Sequence, residues 1–320
     1  VLLLVAVMAV IAATALDRLT LATRLAGSAA AVDQGRAYVF AAEEMALARL
    51  GPLVARDQNR LSMEGDWLGR EFALPLPQGM GRARVTDASN CFNLNSLVVE
   101  SAPNVFTQRG GAVMQFAALM ELLGVAKGEA QAVASATADY LDSDDVAAPL
   151  GAEDAAYRGG GGGYLAANRP VADISEWRAV RGVTAGLYAR VAPWICGLPS
   201  SEPVMINVNT LRPEQAVLAA MLMPDAMSIG QARAALAMRP RGGYGSSAMF
   251  WQSAPLAKLV PRPDSMMQAA VKSRWLMLEV TVELGDSMVR SRSLVDAYGG
   301  ALAAGEAAPV VVNRKWGEWD

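Results

Sequence analysis

The sequence predicts an α+β protein: a long N-terminal helix packed on a small antiparallel sheet, with a large α-helical domain inserted into that sheet. Three observations predict it. The chain opens on an uncharged apolar run and continues in a helical pattern with no proline until Pro52. Strand-like alternation occurs at two distant places, around residues 82–87 and from Trp275 onward. Between them the chain reads as short helices separated by glycine and proline turns.

From Val1 to Leu16 there is no charge. At 1.5 Å per residue such a helix spans ~24 Å, just short of the ~30 Å hydrocarbon core of a bilayer. Basic residues ahead of the run and a small-residue cleavage site after it, the marks of a signal peptide, are not visible. The chain starts without an initiator methionine, so an upstream leader is expected. Beyond Asp17, Leu19, Val32, Phe40 and Leu47 recur at roughly helical intervals with charges between them. One helix is therefore expected from Val1 to about Leu50, stopped by Gly51 and Pro52.

Arg82, Arg84 and Thr86 alternate with Ala83, Val85 and Asp87, a short strand leaving the turn at 79–81. Residues 112–141 read as helical with a break near Gly124 to Gly128. Two helix–turn–helix pairs of the helix-hairpin-helix or SAM-like kind follow. In the first, Ala172 to Ile195, Asp173 or Ser175 can cap and Gly182 turns. In the second, Ile206 to Pro240, Thr210 can cap, Pro213 sits in the first turn, and Met223-Pro224 divides the helices. Alternation around Gly285-Asp286 signals a hairpin, and "APVVVNRKW" offers a last strand.

Composition limits the chemistry. The 320 residues are 53% hydrophobic but only 6% aromatic, with net charge -3 and no histidine. Ser-His-Asp and Cys-His sites and any histidine-containing zinc site are excluded. The acidic balance argues against nucleic acid, which demands a basic footprint. A membrane-anchored helix-hairpin-helix DNA binder is the alternative on motif grounds. Its turns would need a Gly-hydrophobic-Gly pair to hold phosphate, whereas the turns here read "RGVTAG" and "MPDAMS", with Asp225 repelling an anion. Two cysteines, Cys91 and Cys196, either pair in an oxidising compartment or stay free as small buried hydrophobes.

The acidic stretch "YLDSDDVAAPLGAEDAAYRGGGGGYLAANRP" holds Asp142, Asp144, Asp145, Glu153 and Asp154 beside a glycine run. Asp142, Asp144 and Glu153 take the first, third and twelfth places of an EF-hand loop, but Val146 and Ala147 stand where an oxygen ligand and a glycine are required. The glycine run lacks a following Lys-Ser/Thr, so it is no phosphate-binding P-loop. An acid-pair glycoside hydrolase would use two such carboxylates, yet only Tyr140, Tyr157 and Tyr164 stand near them as aromatics. A solvated loop remains the plain alternative.

The stretches "DASNCFNLNSLV", "YLDSDD…GAEDAAY", "YLAANRPVADISEWRAVRGVTAGLYARVAPWICGLP" and "INVNT" occur in an order that resembles the minor pseudopilin K family of bacterial type II secretion systems (general secretion pathway protein K). The resemblance covers nearly the whole chain. It implies a type IV pilin-like fold with segments 1–55 (membrane-anchored helix), 56–95 (first part of the pilin-like domain), 96–265 (inserted helical domain) and 266–320 (strands completing the sheet). It implies a non-enzymatic, single-pass inner-membrane protein, anchored through Val1 to Leu16, with its bulk in the periplasm. A prepilin peptidase processes and methylates such subunits. Minor pseudopilins I and J are the implied partners at the pseudopilus tip, where assembly is primed and exoprotein or secretin is met. Most pilins carry a glutamate near the mature start that pairs with the neighbour above; here Val5 stands there and no acid precedes Asp17, which suits a cap. The family's calcium patterns, D-x-D and G-x-E-D, carry over onto Asp142, Asp144, Glu153 and Asp154, with Asp145 and Asn168 as secondary candidates. A periplasmic location favours a Cys91–Cys196 disulfide, expected to tie the insertion to the small sheet.

Overall fold

The structure, a computed structural model, describes residues 1–56, 60–158, 163–301 and 307–317. Along the chain run α1 (Leu2–Arg56), β1 (Glu71–Leu74), β2 (Met80–Asp87), β3 (Phe92–Asn93), β4 (Val98–Ala102), β5 (Val105–Gln108), α2 (Gly110–Leu122), α3 (Lys127–Leu141), α4 (Asp154–Arg158), α5 (Ala185–Val191), β6 (Ile195–Cys196) and β7 (Ile206–Asn207). Then come α6 (Ala216–Ala220), α7 (Ile229–Ala237), α8 (Ser247–Trp251), α9 (Pro263–Gln268), β8 (Ala269–Ala270), β9 (Trp275–Leu284), β10 (Ser287–Ala301) and β11 (Ala307–Trp316). They form two units. One joins α1, β1, β2 and the strands from β9 onward; the other takes residues 60–65 and Ala88–Ser273.

The first unit is an antiparallel sheet in the order β1-β2-β9-β10-β11, with α1 lying on β9, β10 and β11. Strand period two gives the sheet two chemistries. One face carries Ala83 and Val85 of β2, Leu276, Leu278, Val280 and Val282 of β9, and Val289 and Val295 of β10, all buried. The helix approaches closely at Gly35, where an added Cβ would lie 2.6 Å from a methyl of Val289. A buried carboxylate sits in this layer. Glu43 of α1 accepts hydrogen bonds from the Ser293 hydroxyl and from Nε and Nη2 of Arg314. The Arg314 guanidinium also lies over the Phe40 ring at 4.5 Å.

On the opposite face charges alternate across strands. Arg84, Glu279 and Arg292 are direct cross-strand neighbours, and both arginines donate to the one carboxylate. Burial alone would raise the Glu279 carboxyl, but the hydrogen bonds from Arg84 and Arg292 outweigh it and hold the group below the usual range.

Two hexapeptides organise the second unit: Phe92-Asn93-Leu94-Asn95-Ser96-Leu97 and Ile206-Asn207-Val208-Asn209-Thr210-Leu211. Each opens with a two-residue strand pairing in parallel with a strand far along the chain, β3 with β6 and β7 with β8. In each the first asparagine accepts from the backbone N–H of the second, Asn95 at 3.2 Å and Asn209 at 2.9 Å. The second asparagine then pairs both ways with the backbone of one distant residue. Asn95 accepts from Val171 N–H and donates to the Val171 carbonyl; Asn209 does the same with Tyr244. The side-chain amide stands in for a strand partner, so buried backbone groups are satisfied without a wide sheet. Around the first hexapeptide Phe92 stacks on Phe116 and Phe116 meets Trp177 edge-on, while Trp177 Nε1 donates to Thr137.

Several expectations change. The helix does not stop at Gly51-Pro52; α1 runs to Arg56, with Leu50 and Val54 buried on either side of the proline. The helical unit is wider than 96–265, because β3 and β8 pair inside it. Thr210 does not cap a helix: its hydroxyl donates to the Asn207 carbonyl, as Ser96 does to Asn93. Cys91 and Cys196 are bonded, with Cα atoms 5.8 Å apart, but both belong to the second unit. The bond thus closes the first hexapeptide's strand pair on itself and does not tie the insertion to the five-stranded sheet, because the chain has left that sheet at Asp87.

The Glu43–Arg314 pair yields a double-mutant test. Arg314→Met leaves a buried carboxylate without its cation and should cost about 3 kcal/mol or more in urea unfolding followed by tryptophan fluorescence. Adding Glu43→Met to it should recover most of that loss, since apolar replacement of a whole buried pair is often neutral. A double variant no better than the single one would contradict this account of the layer.

Candidate metal centre

Helix α3 ends in the sequence Asp139-Tyr140-Leu141-Asp142. Residues three apart share a helix face, so Asp139 and Asp142 project together, and both are fully buried. The chain then loops out and returns through Gly151, bringing in Glu153, which is also buried. One carboxylate oxygen from each of Asp139, Asp142 and Glu153 lies within 4.8 Å of the other two. Leu150 takes a left-handed backbone (φ 69°) on the return. Gly151 follows so close that a Cβ there would sit 1.9 Å from Asp139 Oδ2. The glycine of "GAED" is thus fixed by the space the carboxylate occupies.

The three acids are unequally satisfied. Asp139 accepts from Ala148 N–H at 3.2 Å and from Gln108 Nε2 at 2.6 Å. Asp142 accepts from Gln108 on Oδ2 at 2.7 Å, while its buried Oδ1 has no partner. Neither oxygen of Glu153 has one, nor does the buried Oδ1 of Asn168. Asn168 is held nearby by its N–H, which donates to the Tyr140 carbonyl. Burial pushes the Asp142 carboxyl up to about 7, with Asp144 and Asp139 adding to the rise. Burial likewise raises Glu153 to about 7, assisted by the charges of Asp142, Asp139, Asp144 and Asp145. Asp139 is raised too, again chiefly by burial.

Three buried oxygens of Asp142 and Glu153 lack hydrogen-bond donors, and with Asp139 these carboxylates form a donor set of the kind a hard divalent cation takes. The residues fit calcium in kind: carboxylates plus an amide oxygen, with no nitrogen or sulfur ligand. Of the sequence-derived candidates, the structure brings Asp142 and Glu153 together. Asp144 and Asp145 are exposed, and Asp144 caps its own turn by accepting from Val146 N–H. Asp154 opens α4, paired with Arg158 and accepting from Ala166 N–H. Asp139 was missed because it belongs to the helix before the loop; its three-residue spacing from Asp142 was the available signal. Gln108, far off in sequence, gave none. The Asp225 carboxylate faces Arg262 at 3.5 Å.

Family models described as "Type II secretion system (T2SS), protein K" match residues 90–200 and 206–272. Type II secretion system protein K of Aeromonas hydrophila is 34% identical over 92% of this chain and 90% of its own. That of Pectobacterium carotovorum subsp. carotovorum is 31% identical over 99% of this chain and 94% of its own. The chain belongs to the type II secretion system protein K family. Each span matched by the protein K models opens on one of the two asparagine hexapeptides. A solved relative is a chain in the crystal structure of the GspK-GspI-GspJ complex from enterotoxigenic Escherichia coli. It is 29% identical with a TM-score of 0.74, covering 90% of this chain and 97% of that one.

Proposed function

We propose that this chain is a minor pseudopilin that assembles with minor pseudopilins I and J at the tip of a type II secretion pseudopilus. The observation that carries this is the likeness to a chain of the GspK-GspI-GspJ complex over nine-tenths of the sequence. The membrane anchor draws support from α1. Residues 1–30 are exposed along the whole first half of the helix, which is long and apolar enough to cross a membrane. In this reading the anchor is residues 1–16, the bulk is periplasmic, a prepilin peptidase processes the chain, and the tip primes assembly and meets exoprotein or secretin. The role is structural, without catalysis.

Full-length protein should resist extraction from inner membranes by carbonate, and deletion of residues 1–16 should release it into the periplasmic fraction. Tagged full-length protein in detergent should co-purify with co-expressed I and J subunits. A truncated protein that stays in the membrane, or a tagged one that retains neither partner, would overturn the assignment.

We infer also that Asp142, Glu153, Asp139 and Asn168 hold a structural Ca²⁺, with Asp144 and Asp145 adding negative potential around it and Asp154 placed by its own contacts to close the return loop. When bound, the ion would neutralise the buried carboxylates and supply the missing partners of their oxygens. Binding to the folded state alone stabilises by about 2.7 kcal/mol at a hundredfold excess over Kd. The full chain in detergent should therefore melt higher in calcium than in EDTA.

The pH dependence has a definite sign. Without metal, Asp142 and Glu153 hold their protons up to about 7, above their unfolded values. The folded state then binds more protons at these two groups than the unfolded one, so their contribution to stability is fully present below about pH 4 and is lost as pH rises through about 7. Asp142→Asn should flatten part of that fall in EDTA, raise the metal-free melting temperature near neutral pH, and lose the response to calcium. Equal melting temperatures in calcium and EDTA, with no metal by elemental analysis, would remove the ion from the account.

A further inference from the structure

The calcium site is joined to a surface hairpin by one neutral side chain. Gln108 is the last residue of β5, the second strand of the β4–β5 hairpin. Its amide has two N–H bonds, and they go to two different acids: Asp139 Oδ1 at 2.6 Å and Asp142 Oδ2 at 2.7 Å. It therefore bridges two carboxylates that repel each other, and decides which oxygen of Asp142 is left over. That oxygen, Oδ1, is buried and has no partner. The next residue, Ser143, grips the same strand. Its N–H donates to the Phe106 carbonyl at 3.0 Å, and its hydroxyl accepts from Phe106 N–H at 2.8 Å. Asp142 and Ser143, adjacent in sequence, thus hold the end of the hairpin by side chain and backbone. Beyond them the hairpin is exposed from Val99 to Val105.

We propose that Gln108 is the positioning residue through which occupation of the calcium site fixes the β4–β5 hairpin. This rests on the calcium reading of the preceding subsection. Three buried carboxylates with no cation repel one another, and the loop carrying Asp142 and Ser143 relaxes outward. The hairpin loses its hold at Gln108 and Phe106 together. A bound cation draws Asp142 and Glu153 in, leaves Asp142 Oδ2 and Asp139 as acceptors for the Gln108 amide, and locks the strand end. The residue that orients a metal-binding carboxylate commonly matters 10–100-fold to affinity. A glutamine that merely satisfied two buried acids would do so with or without metal, and would leave the hairpin indifferent to calcium.

The test uses the full chain in detergent, with calcium chloride as the probe. Hydrogen–deuterium exchange read by mass spectrometry should show that calcium slows exchange in peptides covering both 98–108 and 139–153 in the wild type. Gln108→Met keeps the length and apolar stem but has no N–H. In that variant, isothermal titration should show calcium affinity reduced about 10–100-fold. At saturating calcium, exchange should still slow over 139–153 but no longer over 98–108. Gln108→Asn, one methylene too short to reach both acids, should behave alike and serves if the methionine variant does not fold. Wild-type affinity in both variants, or a hairpin whose exchange ignores calcium in the wild type, would overturn the coupling. A wild type that binds calcium while its hairpin is indifferent refutes this inference alone. A wild type that binds none refutes the metal reading and this inference with it.

Discussion

A carboxylate withdrawn from water must be given a partner, and this chain does so in two different ways. In the first unit Glu43 receives its cation from within, as Arg314 of β11 reaches across from the last strand. The partners stand 271 residues apart in sequence, so the contact exists only when the first helix and the last strand are both in place. In the second unit Asp139, Asp142 and Glu153 are gathered with, among the described residues, no cation against them, only amide and backbone donors. Burying like charges without a counterion is costly enough to shift their protonation toward neutrality, as the raised Asp142 and Glu153 carboxyls show. The first arrangement completes itself on folding. The second is complete only with protons or with something added.

Asparagine meets the same constraint for the backbone. A helical unit with two-residue strands leaves many peptide groups without ladder partners. Each hexapeptide answers with an asparagine whose amide imitates a peptide unit, accepting and donating to one distant residue, Val171 or Tyr244. The halves differ in how they are closed. In the first, the Cys91–Cys196 bond lies beside the β3–β6 pair. In the second, Asn207 donates to Ser273 and to the Leu61 carbonyl. A covalent closure in one half and a hydrogen-bonded closure in the other perform the same topological task.

The sequence was most legible where one residue type has one physical reading. An uncharged run followed by helical spacing gave α1, and alternation around Gly285-Asp286 gave the β9–β10 hairpin, because periodicity there reports directly on burial. It was least legible where distant residues decide the outcome. Pro52 reads locally as a stop, yet burial of Leu50 and Val54 carries the helix past it. Both asparagine motifs were visible, but their likeness to each other surfaced only through their bonds. In the metal centre the sequence candidates all lie after α3, and Asp139, inside the helix, is not among them. Asp144 is a candidate through the D-x-D pattern and Asp145 a secondary one, but both are exposed. A count of carboxylates therefore located the region, and burial selected among them.

The selection has a structural logic that ties the acid loop to its neighbours. A cation site made only of an exposed loop would order nothing beyond itself. Here two of the three acids end a buried helix, so whatever neutralises them acts on α3 and the elements packed against it. Gly151 must pass within contact of Asp139, and Leu150 must adopt a left-handed turn to let it. These are constraints on the chain path, and they hold whether a proton or an ion supplies the missing charge. What distinguishes the two is where the charge sits. A proton neutralises one oxygen and turns it into a donor, which answers one orphaned acceptor at most. Four oxygens are left without donors, on Asp142, Glu153 and Asn168. A divalent cation can answer several acceptors at once, which is the physical ground on which the Ca²⁺ proposal stands.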